Sequence, residues 1–271
     1  MKIAFFGTPD FIVSFLNTLK DGDLTPSLIV TNPDRPSGRG MILKSPAPKT
    51  WAQEKDIKVL QPEKLDEKFF EELSSESWDL FVVIAYGKII PEKIIDLPKY
   101  GTINIHYSLL PKYRGATPVE SAILNGDETT GIAIQKMRFK LDTGPVYVKS
   151  EVDIEKNETN ESLREKLNNE ALKLLVSTIN KIFKNSILPI EQDDSLATNC
   201  HKISKEDGEI SITDDPITLD RKWRAYQSWP GLYFFKDGKR IKITKAHLDG
   251  EQFVIEEVIP ENGKRINYEN L

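Results

Sequence analysis

The sequence predicts an α/β fold in which a doubly wound, mostly parallel sheet is followed by a small β-rich domain. From residue 1 to about residue 185, short apolar runs alternate with amphipathic stretches, which is typical of βα repeats. Beyond a polar linker the segments become short, and the pairs Asp237-Gly238 and Asp249-Gly250 predict tight hairpins. We therefore divide the chain into a first domain (1–185), a linker (186–205) and a C-terminal domain (206–271).

Each element of the first domain follows from its own apolar pattern. The run Leu80–Ala85 is apolar throughout, which suits a central strand covered by helices on both faces. A long helix with one buried face is predicted over residues 160–184, where apolar residues recur at three- and four-residue spacing. These residues are Leu163, Leu167, Ala171, Leu175, Ile179 and Ile182. The other predicted strands are 2–6, 27–31, 58–60, 102–106, 131–137 and 145–152, and a first helix covers 11–19.

The C-terminal domain is predicted to hold one helix and three strands. The helix covers residues 219–227, and the strands lie near 232–235, 240–246 and 253–258. Trp223 and Trp229 lie in this domain, and we expect both in its core because a small domain needs large apolar side chains there.

Composition excludes several classes of protein. The chain has 271 residues, a net charge of −5 and a single cysteine, so a disulfide framework and a multi-cysteine zinc site are not expected. No apolar run approaches the roughly 18 residues that would span a membrane, and the first residues lack the layout of a signal peptide. We expect a cytoplasmic protein without a membrane partner.

The first predicted βα turn does not match a dinucleotide-binding loop. It reads Gly7-Thr8-Pro9-Asp10, and Pro9 would prevent the close backbone approach that a pyrophosphate needs. Neither a P-loop nor an H-E-x-x-H motif is present, and the three histidines are scattered. A nucleotide cofactor and a metal are therefore not expected.

Two polar side chains mark the end of a predicted buried strand. Asn104 and His106 are two residues apart, so they share one face at the carboxyl end of the strand, where ligands collect in α/β sheets. Asp142 lies in a turn between two later strands. A carboxamide, an imidazole and a carboxylate suit acyl-type transfer. The spacing leaves open whether the three side chains meet, and purely structural roles for His106 and Asp142 remain alternatives.

Several motifs resemble those of the folate-dependent formyltransferases. They are Gly101–Pro118 (GTINIHYSLLPKYRGATP), Ala85-Tyr86-Gly87 with Ile89-Ile90-Pro91, and Leu141-Asp142-Thr143-Gly144. Gly7–Phe11, Asn32–Gly40 and Lys202–Asp207 (KISKED) are similar to the branch of that family that acts on aminoacyl-tRNA. The resemblance covers nearly the whole chain. It implies a Rossmann-like catalytic domain and a C-terminal domain that is a reduced OB-like barrel.

The resemblance also implies a reaction and a set of site residues. The donor would be 10-formyltetrahydrofolate, and the acceptor would be the free α-amino group of methionyl initiator tRNA. Asn104, His106 and Asp142 would be catalytic. The folate-binding residues would be Ser108, Leu109, Leu110, Pro111, Tyr86, Gly87 and Ile89. The implied partners are folate and initiator tRNA, with no metal and no DNA, and we expect a monomer.

Two basic segments provide a test of the tRNA hypothesis. Residues 34–49 carry four basic side chains and one acidic, and residues 216–247 carry eight basic and two acidic. Basic segments in an acidic protein suit contact with a phosphate backbone, although solvated charged faces are the alternative. The predicted tRNA contacts are Arg35, Arg39, Lys44, Arg221, Arg224 and Lys242.

Two other functions stay open at this point. A sugar-nucleotide N-formyltransferase would share the chemistry but has no need of the basic segments. A tRNA-binding or folate-binding module without turnover is the other alternative, because Tyr107 and the run Arg138-Phe139-Lys140 depart from the usual family pattern beside the expected site.

Overall fold

The computed structural model describes residues 1–37 and 41–271. Their contacts divide the chain into two compact units. The first unit is Met1–His106, Ile132–Ser150 and Asn168–Leu196, and the second is Tyr107–Gly131, Glu151–Leu167 and Ala197–Leu271.

The strands and helices are numbered in chain order. The strands are β1 (Ile3–Phe6), β2 (Leu28–Val30), β3 (Arg35–Ser37), β4 (Ile42–Lys44), β5 (Lys58–Leu60), β6 (Leu80–Val83), β7 (Thr102–His106), β8 (Arg114–Gly115), β9 (Thr129–Lys136), β10 (Val146–Asp153), β11 (Asn199–Cys200), β12 (Tyr233–Lys236), β13 (Lys239–Asp249), β14 (Gln252–Pro260) and β15 (Ile266–Asn267). The helices are α1 (Ile12–Asp21), α2 (Ala47–Gln53), α3 (Glu67–Ser74), α4 (Glu92–Ile95), α5 (Pro118–Asn125), α6 (Asn160–Phe183) and α7 (Pro216–Tyr226).

A seven-stranded sheet forms the frame of the first unit, in the order β10-β9-β7-β6-β1-β2-β5. The pairs from β7 to β5 are parallel, and β9 is antiparallel to β7. The mostly parallel α/β sheet predicted from the sequence is confirmed. Every residue of β1, β2 and β6 is buried, because helices cover both faces of a central parallel sheet.

The long helix α6 has the buried face that its sequence predicts. All six apolar residues at three- and four-residue spacing are at most 4% exposed. Gly7, at the end of β1, shows why that turn needs glycine, since a Cβ there would lie 2.8 Å from the carbonyl oxygen of Ile84. The turn after β1 therefore packs directly against the end of β6.

The second unit contains an antiparallel sheet in the order β12-β13-β14-β15. Its two hairpins turn at the predicted Asp-Gly pairs, where Asp237, Gly238 and Gly250 have positive φ, as tight hairpin turns require. The small β-rich C-terminal region is confirmed. The expectation that Trp229 lies in a core is wrong, because its side chain is 48% exposed.

Five short strands are absent from the sequence prediction, namely β3, β4, β8, β11 and β15. The hairpin of β3 and β4 lies in a segment without clear alternation, and β8 pairs with β11, which lies in the predicted linker. Each of these strands has only two or three residues, too few for apolar periodicity to show.

Candidate active site

Asn104 and His106 lie among the last three residues of β7, as the sequence predicts. Asn104 lies directly opposite Gln135 of β9, and His106 lies opposite Ala133. The His106 side chain is 6% exposed. The Asn104 Nδ2 donates a hydrogen bond to the carbonyl oxygen of Val83 (3.0 Å), which ties the carboxamide to the end of β6.

The turn between β9 and β10 brings Asp142 to the same cluster. Its Oδ2 lies 3.6 Å from Nδ1 of His106, and the two side chains are 10% and 6% exposed. Asp142 has φ of 51°, a conformation that aspartate tolerates better than most residues. Gly144 lies so close to the carbonyl group of Lys136 that a Cβ has no room. The Leu-Asp-Thr-Gly motif thus folds the loop back onto β9.

Gln135 also belongs to this cluster, although it is not among the site residues predicted from the sequence. Its Nε2 donates to Oδ1 of Asp142 (2.8 Å) and to Oδ1 of Asn104 (3.3 Å). The side chain is 2% exposed. Its position in the predicted strand 131–137 was the available sequence signal. A residue that pairs with Asn104 on a neighbouring strand must lie on the same face of the sheet.

Gln192 supports the Asp142 loop from a segment that was predicted to be linker. Its Nε2 donates to the carbonyl oxygens of Asp142 (2.8 Å) and Gly144 (2.7 Å). Ile190 exchanges two backbone hydrogen bonds with Val146, and Glu191 accepts two from Arg138 (2.6 and 2.9 Å). Residues 190–192 therefore hold the loop that carries the carboxylate.

We expect Gln192→Ala to lower turnover about tenfold, because small displacements of a reacting group are costly. The alanine leaves both loop carbonyls without their side-chain donor while keeping every ionisable group of the cluster. Steady-state rates check this, with the exposed Gln252→Ala as the matched control. Equal rates for the two variants would remove Gln192 from the support of Asp142.

The predicted folate-binding residues have different surroundings. Tyr86 is 2% exposed and packs edge-on against Phe6 in the core, so its side chain is part of the fold. Gly87 has φ of 79° with open space where a Cβ would point, and Ile89 is 84% exposed.

The stretch Ser108–Pro111 lies in the second unit. Ser108 is buried and its hydroxyl donates to the carbonyl oxygen of Lys112, while Leu110 is fully buried. Leu109 and Pro111 are half-buried.

A cavity of about 510 Å³ opens where β1, β2 and β6 end. Its lining includes Thr8, Asp10, Asn32, Arg35, Lys44 and Lys88. In the sheet β1 lies between β2 and β6, and the carboxyl ends of such strands form the usual ligand crevice of α/β proteins.

The predicted tRNA contacts of the first unit lie on the β3–β4 hairpin. Arg35 and Lys44 are 69% and 64% exposed and pair with Glu63 (3.2 Å) and Asp10 (3.3 Å). Exposed pairs of this kind are weak. Arg39 lies outside the described residues.

Asp34 fixes the base of this hairpin. It accepts hydrogen bonds from Lys49 (2.7 Å), Gln61 (2.7 Å) and Ser45 (3.0 Å). Those from Lys49 and Gln61 are the main cause that lowers the pKa of Asp34 to about 2.

The three predicted tRNA contacts of the second unit differ in how far their side chains are exposed and in their partners. Lys242 is exposed on β13. The guanidinium of Arg221 packs against Gly126, which ends α5. Arg224 is 14% exposed; it donates to Asp220 (2.8 Å) and to the carbonyl oxygen of Glu158 (3.1 Å). The guanidinium groups of Arg221 and Arg224 thus make contacts within the second unit. Their contacts with tRNA stay predictions.

The comparisons with known proteins decide the family. The sequence model described as "Formyl transferase" matches residues 1–179, and "Formyl transferase, C-terminal domain" matches residues 202–270. A methionyl-tRNA formyltransferase from Caldicellulosiruptor saccharolyticus is 40% identical over 92% of this chain and 80% of its own length. One from Caldanaerobacter subterraneus is 41% identical over 92% and 81%. The chain belongs to the methionyl-tRNA formyltransferase family.

Solved structures of formyltransferases share the fold. A methionyl-tRNA formyltransferase from Clostridium thermocellum superposes with a TM-score of 0.66 at 18% identity, over 98% of this chain and 99% of that one. An N-formyltransferase from Helicobacter canadensis, in complex with folinic acid and dTDP-3-aminofucose, gives 0.70 at 19% identity over 96% and 94%. The chain is thus a formyl-transferring enzyme with the Rossmann-like fold of its family.

A family member uses a formyltetrahydrofolate donor, and the residues present fit such a ligand. Open space lies over Gly87, and three large apolar side chains stay exposed in the loops after β6 and β9, namely Ile89, Phe139 and Leu141. Exposed apolar side chains and open space suit contact with a flat ring. Within residues 1–37 and 41–271, no group of three or more His, Cys, Asp or Glu side chains is placed to hold a metal ion.

Among the helices in the described part of the chain, none is both long enough and apolar enough to cross a bilayer.

Proposed function

We propose that this formyltransferase transfers the formyl group of 10-formyltetrahydrofolate to the free α-amino group of methionyl initiator tRNA. Asn104, His106 and Asp142 are its proposed catalytic residues. The observation that carries the proposal is the proximity of these three side chains: Gln135 hydrogen-bonds to both Asn104 and Asp142, and His106 lies 3.6 Å from Asp142, in a chain about 40% identical to methionyl-tRNA formyltransferases.

Asn104 and His106 stabilise the charge that develops on the formyl oxygen. One N–H of the Asn104 carboxamide is held by Val83, and a carboxamide nitrogen carries a second N–H. That second donor and the His106 imidazole supply a fixed polar environment, which is usually the largest contribution to acyl-transfer catalysis.

Asp142 acts on the proton that the acceptor amine loses during the transfer. Its Oδ2 faces Nδ1 of His106, 3.6 Å away, and so orients the imidazole; such contacts tighten when substrate binds. The bound donor supplies the activated formyl group. The acceptor nitrogen forms the new bond to the formyl carbon and loses one proton, and the donor nitrogen leaves with its electron pair and gains one. Asp142, with His106, is the group that takes up the proton from the amine.

The folate-binding residues proposed from the family remain Ser108–Pro111, Tyr86, Gly87 and Ile89. The cavity at the ends of β1, β2 and β6 is the proposed acceptor site, because Arg35 and Lys44 line it and can meet a phosphate. Arg39, Arg221, Arg224 and Lys242 complete the proposed tRNA contacts. The proposed domains are 1–185 and 206–271 with a linker at 186–205, supported by the extents of the two family models.

We expect Lys44→Ala to weaken tRNA binding and to reduce its salt dependence. Each phosphate contact contributes about one unit to the slope of log affinity against log salt, so the slope should fall by about that amount while folate binding is unchanged. Binding titrations at several salt concentrations measure this. Lys173→Ala is the matched control, since Lys173 is 70% exposed and also pairs with a neighbouring glutamate. Identical slopes would place Lys44 outside the tRNA contact.

The sugar-nucleotide alternative has less support. The sugar-modifying structures are similar at about 20% identity or below, which shows the fold alone. Monomeric state and cytoplasmic location stay predictions.

Acceptor choice tests the proposed function directly. Purified protein with 10-formyltetrahydrofolate should formylate methionyl initiator tRNA and leave uncharged tRNA and a dTDP-amino-sugar unchanged. Reaction with the sugar alone would establish the alternative, and no transfer to either acceptor would indicate a binding module.

A further inference from the structure

Gln135 is a buried amide that touches two of the three proposed catalytic residues. It is 2% exposed, and its Nε2 lies 2.8 Å from Oδ1 of Asp142 and 3.3 Å from Oδ1 of Asn104. Asn104 and Gln135 are register partners on β7 and β9, whereas Asp142 comes from the following loop. One nitrogen therefore connects a strand residue to a loop residue.

The chemistry of the partners sets the orientation of both amides. Carboxylate Oδ1 of Asp142 accepts hydrogen bonds only, so Gln135 must present its NH₂ group and not its carbonyl oxygen. The same NH₂ group meets Oδ1 of Asn104, and the opposite end of Asn104 donates to the carbonyl oxygen of Val83. A flip of the Asn104 amide would place donor against donor and acceptor against acceptor.

We propose that Gln135 is a positioning residue for formyl transfer. It keeps the Asn104 NH₂ group directed at the formyl oxygen and occupies Oδ1 of Asp142, which leaves Oδ2 to face Nδ1 of His106 at 3.6 Å. The inference rests on the proposed function only for the identity of the reaction. The arrangement of Asn104 and Asp142 by Gln135 is a property of the free protein.

Replacing Gln135 has two opposing effects on stability. Its Oε1 is buried and has no hydrogen-bond partner among the described residues, and a buried acceptor without a partner is unfavourable. An apolar side chain of similar length removes that cost, but it also removes the hydrogen bonds donated to Asp142 and Asn104. We therefore expect Gln135→Met to fold with a melting temperature at most modestly below that of the wild type.

The test is a double-mutant cycle with Asn104. We expect Gln135→Met to lower kcat by about thirtyfold and to change the KM of either substrate by less than about threefold, because residues that act as a unit affect the transition state together. In the Asn104→Ala background the same substitution should lower kcat by clearly less than about thirtyfold, since one of its two partners is already gone and only the contact with Asp142 remains. Independent, multiplying losses would overturn the proposal, as would a wild-type rate in Gln135→Met.

Two further measurements separate positioning from a merely structural role. Thr130→Val is the matched control, because Thr130 lies on the same strand, is 3% exposed and has a hydroxyl without a partner among the described residues. NMR spectra of the free protein, with labelled side-chain amides, should show the Asn104 NH₂ signals shifted by Gln135→Met and unmoved by Thr130→Val. Unmoved Asn104 signals in Gln135→Met would contradict the proposal.

Hydrolysis of 10-formyltetrahydrofolate separates this proposal from the proposed acceptor. Water then replaces the amine: it bonds to the formyl carbon, the donor nitrogen leaves and is protonated, and formate is released. The cycle in this reaction should show the same non-additive losses even if methionyl-tRNA is not formylated. Additive losses in hydrolysis, together with normal transfer to tRNA by the wild type, would reject Gln135 and retain the function.

Discussion

We expect His106→Ala to lower the turnover of formyl transfer by at least about a hundredfold, the usual loss when a general acid–base or oxyanion-stabilising group is removed. The reason is its place in the cluster: the imidazole ends β7, is 6% exposed and faces the Asp142 carboxylate. Alanine removes this group and leaves Asn104, Gln135 and Asp142 in place. Single-turnover rates with saturating donor and acceptor measure the chemical step.

The matched control is His201→Ala. His201 is exposed in the second unit, so its removal tests for a general effect of losing a histidine. We expect this variant to react at the wild-type rate. A near-normal rate in His106→Ala would contradict the catalytic role of His106.

We expect Asp142→Asn to lower turnover by at least about a hundredfold as well, because it removes the charge that orients and polarises the imidazole. Asparagine has the same shape. It can still accept from Gln135, and Gln192 still holds the backbone carbonyl. If the melting temperature is unchanged, the loss of turnover therefore measures the contribution of the negative charge and not a displacement of the loop that carries residue 142.

Asp21→Asn is the control for this variant. The Asp21 side chain is 75% exposed at the end of α1, and we expect no change in rate. If Asp142→Asn were as active as Asp21→Asn, the carboxylate would have no part in the proton transfer.

The sequence predicted the frame of the site because that frame depends on local patterns. The alternation of Thr102–His106 predicted strand β7 and the shared face of Asn104 and His106, and the Asp-Thr-Gly turn predicted a loop with Asp142. Whether these residues meet depends on which strands are neighbours. Strand β9 lies next to β7 in the sheet, and it carries Gln135, which joins Asn104 to Asp142.

Contacts over long sequence distances could not be predicted in this way. Gln192 lies 50 residues from Asp142 in the chain, within a segment that has no periodicity. Arg138, which departs from the usual family pattern, pairs with Glu191 at the surface. Tyr107, the other departure, is 7% exposed, and burial raises the pKa of its phenol.

The number of basic residues along the chain predicted two basic segments. It did not predict which of their side chains are exposed and which are bonded within the fold. Arg224 lies in a basic segment by composition, yet its guanidinium is almost covered and bonded within the second unit. Lys44 and Arg35 remain exposed on the β3–β4 hairpin. Burial and partners therefore affect how readily each basic residue reaches a phosphate, and neither follows from sequence position.

The most direct test of a shared catalytic role is a comparison of the single variants Asn104→Ala, His106→Ala and Asp142→Ala with the triple variant that combines them. If the three side chains act as one catalytic unit, the single-turnover rate of the triple variant should be within about tenfold of the slowest single variant. Losses that multiply across the three positions would show that the side chains contribute independently and do not form one catalytic unit.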